Sequence, residues 1–452
     1  MYRSQLMLSL SCAALGAGLA AAAQAAPVTV NGGGAASQYF NYAAPDVNGA
    51  PVAEMPLFDT QQTGVSFGTY WATISGAAQA AMLTNDLTCL ENAETGNNGG
   101  KCSNEPGGAN TVHYGVSESV FSANSVSTWA TSTWGQQAAG DLIQIPALGT
   151  GLAIPVNDTN LTSNGQIGFS DNDLCGVFSG LITNFSQITD SPGAPAAGNF
   201  QLVYRVDSAG TTFLLTNHLA AVCNSSNTAL GVTFTPTSSF SSLFGSPITN
   251  QIPGAVGITG LANLADYLAG LIDGPVPQAI SYVSPDWTSI DSQTSSAKLS
   301  NGLPSPLLVA SLRNGATFFL PTVTNIRSAL NHVKVGTNQT PPANATDGAN
   351  PLKWVPIVQI ASTGYPIVGY STLEVPQCYA NKAIGKGMEK FLHDHYTAMA
   401  YTKIQNNNGL VSVAEGPGAK FLNAIKSNII ANKNHWNVNV GNPTACAGLP
   451  GR

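Results

Sequence analysis

Apolar runs of strand length alternate along this chain with segments of helical spacing, the pattern of an α/β fold built on mostly parallel strands. Pro27 to Val30 leads through a glycine turn into a helix near Ala35 to Tyr42. In the same way, Gln201 to Val206 leads through a Ser/Gly/Thr turn into a helix near Phe213 to Val222. Strands are expected at Leu142 to Ile145, Leu152 to Pro155 and Ile280 to Val283, whereas Leu261, Leu264, Leu268 and Leu271 have the spacing of a helix. Stretches rich in Ser, Thr, Pro and Gly at 191–198 and 224–251 read as surface loops, as does Glu91 to Pro106 with its Asn-Asn-Gly-Gly tip. No repeat period is visible, so a solenoid or propeller is not expected.

The longest apolar run opens the chain. Arg3 precedes Leu6 to Ala23, and small residues follow at Ala23 and Ala25, which marks 1–26 as a secretory signal peptide. No later stretch has the uncharged, uninterrupted length of a spanning helix, so a soluble periplasmic or secreted protein is expected. Cys12 lies early in the run with Ser9 where a lipobox would place Leu, which argues against a lipid anchor.

Charged residues make up only 9% of the chain, so neutral polar groups carry its solubility. Losing Arg3 with the leader takes the net charge from -7 to -8, which argues against nucleic acid or an anionic membrane as partner. The roughly 425 residues that remain exceed one ordinary core, so two domains or two lobes are expected. Six cysteines also remain: Cys89, Cys102, Cys175, Cys223, Cys378 and Cys446. An even count in an oxidising compartment reads as three disulfides, with the pairing left open, and the spacing suits no zinc site.

Between Lys101 and Lys298 the only Lys or Arg is Arg205. It sits at the end of an expected strand, in Tyr204-Arg205-Val206-Asp207-Ser208-Ala209-Gly210-Thr211-Thr212, just before a helix. Strand ends and helix N-termini are where α/β proteins bind anions, because free N–H groups and the helix dipole converge there. Arg205 offers a fork, Ser208 and Thr211 offer hydroxyls, and Gly210 allows close approach. The plainer reading is a capped helix with Arg205 paired to Asp207. Asn31-Gly32-Gly33-Gly34-Ala35-Ala36-Ser37 and Ile74-Ser75-Gly76-Ala77-Ala78 offer similar chemistry, and Gly115-Val116-Ser117-Glu118 adds a carboxylate. A carboxylate suits an anion site when the ligand itself carries a proton.

These segments, together with Met82-Leu83-Thr84-Asn85-Asp86, Leu174-Cys175-Gly176-Val177-Phe178-Ser179-Gly180, Ser281-Tyr282-Val283-Ser284-Pro285-Asp286 and Thr363-Gly364-Tyr365-Pro366-Ile367-Val368-Gly369, resemble the DING family. That family belongs to the phosphate-binding proteins of bacterial ABC transporters, and the resemblance runs from Asn31 to Cys446. It implies a two-lobed periplasmic-binding architecture (type II) with two interlobe crossings, near Ala147 and Pro285. Lobe I would then be 27–147 plus 286–452, and lobe II 148–285. It also implies the disulfides Cys175 with Cys223 and Cys378 with Cys446, leaving Cys89 with Cys102.

Carried over, the family's phosphate contacts fall on the first glycine-rich turn at Gly34, and on Ser75, Glu118, Arg205, Gly210 and Thr211. The usual Thr after the glycines is Ala36, with Ser37 beside it; the usual Asp is Glu118; and the Ser expected before Gly210 is Ala209, with Ser208 one position earlier. The implied function is uptake or scavenging of inorganic phosphate or a related oxyanion by a monomer that needs no cofactor or metal and meets an ABC permease. A phosphate ester, a phosphonate or arsenate is the alternative ligand.

The rival class is a secreted enzyme, since some relatives of this fold are described as alkaline phosphatases. The chain has no Gly-x-Ser-x-Gly elbow and no Asp/His cluster for two metals, so binding without catalysis is expected. His393-Asp394-His395 resembles a metal cluster, but residues two apart on a helix point to different faces.

Overall fold

The computed structural model describes residues 27–95, 101–103, 111–158, 160–193, 197–276, 278–290, 297–414 and 418–452. The expected signal peptide, Cys12 and the Asn-Asn-Gly-Gly tip lie outside the described residues. In chain order the strands are β1 Val28–Ala35, β2 Val65–Thr73, β3 Tyr114–Ser117, β4 Leu142–Gly151, β5 Val156–Asn157, β6 Gly168–Phe169, β7 Gln201–Arg205, β8 Val256–Ile258, β9 Ala279–Ile280, β10 Ser311–Asn314, β11 Thr317–Phe319, β12 Val333–Thr337, β13 Ile357–Ala361, β14 Val368–Pro376 and β15 Val411–Ser412. A six-stranded sheet, ordered β15-β4-β14-β3-β1-β2, centres one lobe, and a four-stranded sheet, β5-β9-β7-β8, centres the other. Strands β11-β10-β6 form a third, small sheet, and β12-β13 form a two-stranded antiparallel sheet.

The class is the expected α/β, but the pairing is mixed. β1 lies parallel to β2 and β3, and β7 to β8 and β9, whereas β14 runs antiparallel to both β3 and β4. Direction was hidden because β4 and β14 are buried along their whole length. A strand covered on both faces reads as one apolar run whichever way it runs.

One expected turn is strand. The glycine turn lies inside β1, where Gly32, Gly33 and Gly34 each face neighbouring backbone; a Cβ on Gly34 would stand 1.9 Å from the Val116 carbonyl oxygen. Pro146 interrupts the apolar run only in sequence, since β4 continues past it to Gly151. The register slips there, with Ser371 opposite Leu148 and Thr372 opposite Pro146, so proline sits at a bulge, where its missing N–H costs little. The strand expected at Leu152 to Pro155 is instead a connection with isolated bridges at Ala153 and Pro155.

β4 stays in the six-stranded sheet through Gly151, and β10, which follows Pro285, pairs with β6. Helix bounds shift less: Gly210–Val222 begins before Phe213, and Leu261–Leu268 ends before Leu271.

The carbonyls freed by the Pro146 bulge are taken by the helix Lys382–Thr397. Tyr396 OH donates to Pro146 O at 2.7 Å, and His395 Nε2 lies 3.1 Å from Ala147 O. His395 Nδ1 lies 2.6 Å from Glu54 Oε2, with both side chains fully enclosed. His393 is 54% exposed on the other face, so the two histidines do not converge.

The disulfides are Cys89–Cys102, Cys175–Cys223 and Cys378–Cys446, the pairs that the resemblance implies.

Glu374 sits in β14 under the helix Ser75–Thr84. Its Oε1 accepts from Gln79 Nε2 at 3.4 Å and from Thr372 Oγ1 at 3.2 Å, while Oε2 has no partner. Burial pushes the carboxyl up to about 8, against the pull of the Gln79 and Thr372 hydrogen bonds, so it is held neutral at pH 7. Because the folded value lies above the unfolded one, its stabilising contribution is complete below the unfolded value and is lost as pH rises to about 8. Glu374→Gln should therefore gain melting temperature relative to wild type from pH 5 to pH 8 and level off above it. A gap independent of pH in thermal melts would refute this assignment.

Candidate functional site

Two helices from different lobes begin at one cleft. Ser75–Thr84 follows β2, and Gly210–Val222 follows β7. Their N-cap residues, Ile74 and Ala209, are apolar and make no side-chain cap, so neither first turn is closed by its own residues. The second helix is held from behind, where Asn217 Nδ2 donates to Val358 O at 2.7 Å and His218 Nδ1 lies 2.8 Å from Gln359 O.

Glycine at each helix start follows from the other lobe's proximity. A Cβ on Gly210 would stand 2.4 Å from Glu118 Cβ and 2.5 Å from Ser75 Oγ, and one on Gly76 would stand 2.6 Å from Ser208 Cβ. Gly76 N donates to Ser208 O across the cleft at 3.2 Å. The lobes thus meet backbone to backbone.

Ala35, Ala36, Ser37, Thr73, Ile74, Ser75, Glu118, Arg205, Ala209, Gly210, Thr211 and Leu261 line the cleft, which is nearly closed, with a cavity volume of about 10 Å³. Of the expected site residues, Ala36, Ser37, Ser75, Glu118, Arg205, Gly210 and Thr211 come together here. Two do not. Gly34 lies behind the wall, where it packs β1 against β3, and the Ser208 hydroxyl turns away to Ser238 Oγ at 2.7 Å.

Arg205 is buried at the end of β7, where Asp207 grips it from two sides. Nε donates to Asp207 Oδ1 at 2.7 Å and Nη2 to Asp207 Oδ2. The plainer sequence reading, an Arg205 to Asp207 pair, therefore holds alongside the site reading, because the guanidinium still lines the cleft. Asp207 also accepts from Gly260 N at 3.3 Å, which ties the start of the Leu261 helix to the same point. Thr211 Oγ1 is buried without any hydrogen-bond partner. Ser75 Oγ accepts from Glu118 N at 3.0 Å, which leaves its own hydrogen for the cleft.

Burial pushes the Glu118 carboxyl up, opposed by hydrogen bonds from Ser37 and Gln38 and by the Arg205 charge. Burial, with the nearby Glu118 charge adding to it, pushes the Asp286 carboxyl up to about 7, and its Oδ2 is unpartnered. With Arg205 already ion-paired, the cleft offers an anion mainly N–H and O–H donors rather than net positive charge. None of the six histidines lines it.

Thr73 and Leu261 were missed by sequence reasoning. Gly260 before Leu261 was the available signal, but its link to Asp207 spans 53 residues.

The PBP superfamily domain matches residues 18–393. The chain is 30% identical over 421 residues to Alkaline phosphatase L of Pseudomonas aeruginosa (strain UCBPP-PA14), covering 89% of this chain and 93% of that one. It is 29% identical to a Phosphate-binding protein from an unknown prokaryotic organism, covering 93% of this chain and 98% of that one. Among solved structures, a high affinity periplasmic phosphate-binding protein (PfluDING) bound with phosphate superposes with TM-score 0.70 at 29% identity, over 94% of this chain and 99% of that one.

Proposed function

Since the chain belongs to the PBP superfamily, we propose that it is a solute-binding protein that closes its two lobes on a tetrahedral oxyanion, phosphate first. The observation that carries this reading is the pair of uncapped helix N-termini meeting beside Arg205 and the unpartnered Thr211 hydroxyl. The names of the relatives support phosphate over other oxyanions.

Ser75, Arg205, Gly210 and Thr211 donate to the ligand oxygens, Ser37 stands beside them, and Ala36 and Ala209 line the wall. Glu118 accepts a hydrogen bond from the proton that the ligand carries. Sulfate has no proton to offer near neutral pH, so the same carboxylate repels it. The lobes part to admit the ligand, breaking the Gly76 to Ser208 contact.

Titrating phosphate-stripped protein with phosphate, sulfate, arsenate and methyl phosphonate by calorimetry tests the reading. Phosphate and arsenate should bind, with sulfate weaker by orders of magnitude. Tight sulfate binding would remove the role given to Glu118, and silence with all four would overturn the oxyanion reading.

The relative named Alkaline phosphatase L favours a second reading, hydrolysis of phosphate esters. The cleft supports it poorly, because a serine nucleophile needs a base and no histidine lines the site. Release of nitrophenol from p-nitrophenyl phosphate, lost in Ser75→Ala, would revive it.

The leader at 1–26 directs the protein out of the cytoplasm, to the periplasm or beyond, where an ABC permease is the expected partner. Among the described residues, no helix is long and apolar enough to cross a membrane.

A further inference from the structure

Gln38 ends the short turn that leaves β1, and it is fully buried without touching the cleft space. Its Nε2 donates to Glu118 Oε1 at 3.3 Å and lies 3.5 Å from Ser37 Oγ. Its Oε1 accepts from Ser371 Oγ at 3.3 Å, and Ser371 belongs to β14, in the middle of the six-stranded sheet. The amide is thus pinned at one end to the sheet and directs its N–H toward one oxygen of Glu118.

We propose that Gln38 is the positioning residue for Glu118: it occupies Oε1, aims Oε2 at the ligand, and thereby sets the discrimination between protonated and unprotonated tetrahedral oxyanions. This rests on the reading of Glu118 as acceptor of the ligand's proton. The chemistry follows from what an amide N–H does to a carboxyl. A donor fixed on one oxygen favours the ionised form, and only the ionised form is a pure acceptor. Without that donor, the buried Glu118 keeps its own proton more readily and becomes a donor, which suits sulfate and no longer suits the proton-bearing oxygen of phosphate. The other charged or titratable groups that act on Glu118 are Arg205, which favours its charge, and Asp286 and Tyr70, whose own ionisation Glu118 opposes. None of the three is held by Gln38.

Gln38→Met keeps the volume and removes both amide functions. Calorimetric titrations with phosphate and with sulfate at pH 6 to 9 should show phosphate affinity falling roughly tenfold or more, as for loss of one hydrogen bond to a charged group. Sulfate affinity should hold or rise, so that the phosphate to sulfate ratio collapses. Ser371→Ala, which unpins the amide, should move the ratio the same way by less, and it carries the test if Gln38→Met does not fold. Equal weakening of both anions, or an unchanged ratio, would overturn the proposal by reducing Gln38 to a packing role. Glu118→Gln separates the two layers. If it keeps the wild-type ratio, the reading of Glu118 falls and the proposal with it; if it loses the ratio while both other variants keep it, only the proposal falls.

Discussion

Arg205→Ala will weaken phosphate binding by at least about a hundredfold, since it removes charge-assisted hydrogen bonds of about 1.5–3 kcal/mol each. A second effect adds to it. Asp207 is 7% exposed and held by the guanidinium, so the variant leaves an unpaired carboxylate at the edge of an anion site. Breaking one partner of such a buried pair also costs about 3–5 kcal/mol of stability. The two losses are separable. Arg205→Met combined with Asp207→Leu removes both charges and should recover most of the melting temperature while binding stays lost. Calorimetry showing wild-type phosphate affinity in either variant would rule out this cleft as the site.

The second large effect lies far from the cleft. His395→Ala should destabilise the fold by about 3–5 kcal/mol, because it opens a cavity and leaves an oxygen of the enclosed Glu54 without its partner. The melting temperature should fall by about 3–6 °C. His395 also holds the Ala147 carbonyl that the Pro146 bulge leaves without a strand partner, so the same change strips a buried acceptor. Pairing Glu54→Leu with His395→Phe should regain part of the loss. A single His395→Ala variant that melts within a degree or two of wild type would show that neither contact matters.

What the sequence disclosed follows from the range of the physics. Strand ends, helix starts and a solitary Arg205 are local features, and they brought Ser75, Glu118, Arg205, Gly210 and Thr211 into view. Strand direction and sheet order are not local: β14 lies between β3 and β4 because a segment returning from lobe II inserts there, and no periodicity records that. The strand expected at Leu142 to Ile145 stopped short for the same reason, since only the register against Ser371 and Thr372 shows that Pro146 is a bulge and not a strand end. Ser208 was near enough in sequence to replace a missing hydroxyl, yet its orientation depended on Ser238, thirty residues on. Asp207 was visible, but whether it competes with the ligand for Arg205 or steadies it needed the fork geometry.

The three disulfides join consecutive cysteines, with separations of 13, 48 and 68 residues. For a chain that crosses a membrane N-terminus first, each thiol meets its correct partner as the very next one to emerge. Oxidation in order of arrival therefore gives the native set without reshuffling, and no isomerase has to undo an earlier bond. The last bond waits for Cys446, almost at the end of the chain, so a stalled or shortened chain would expose one unpaired thiol at Cys378.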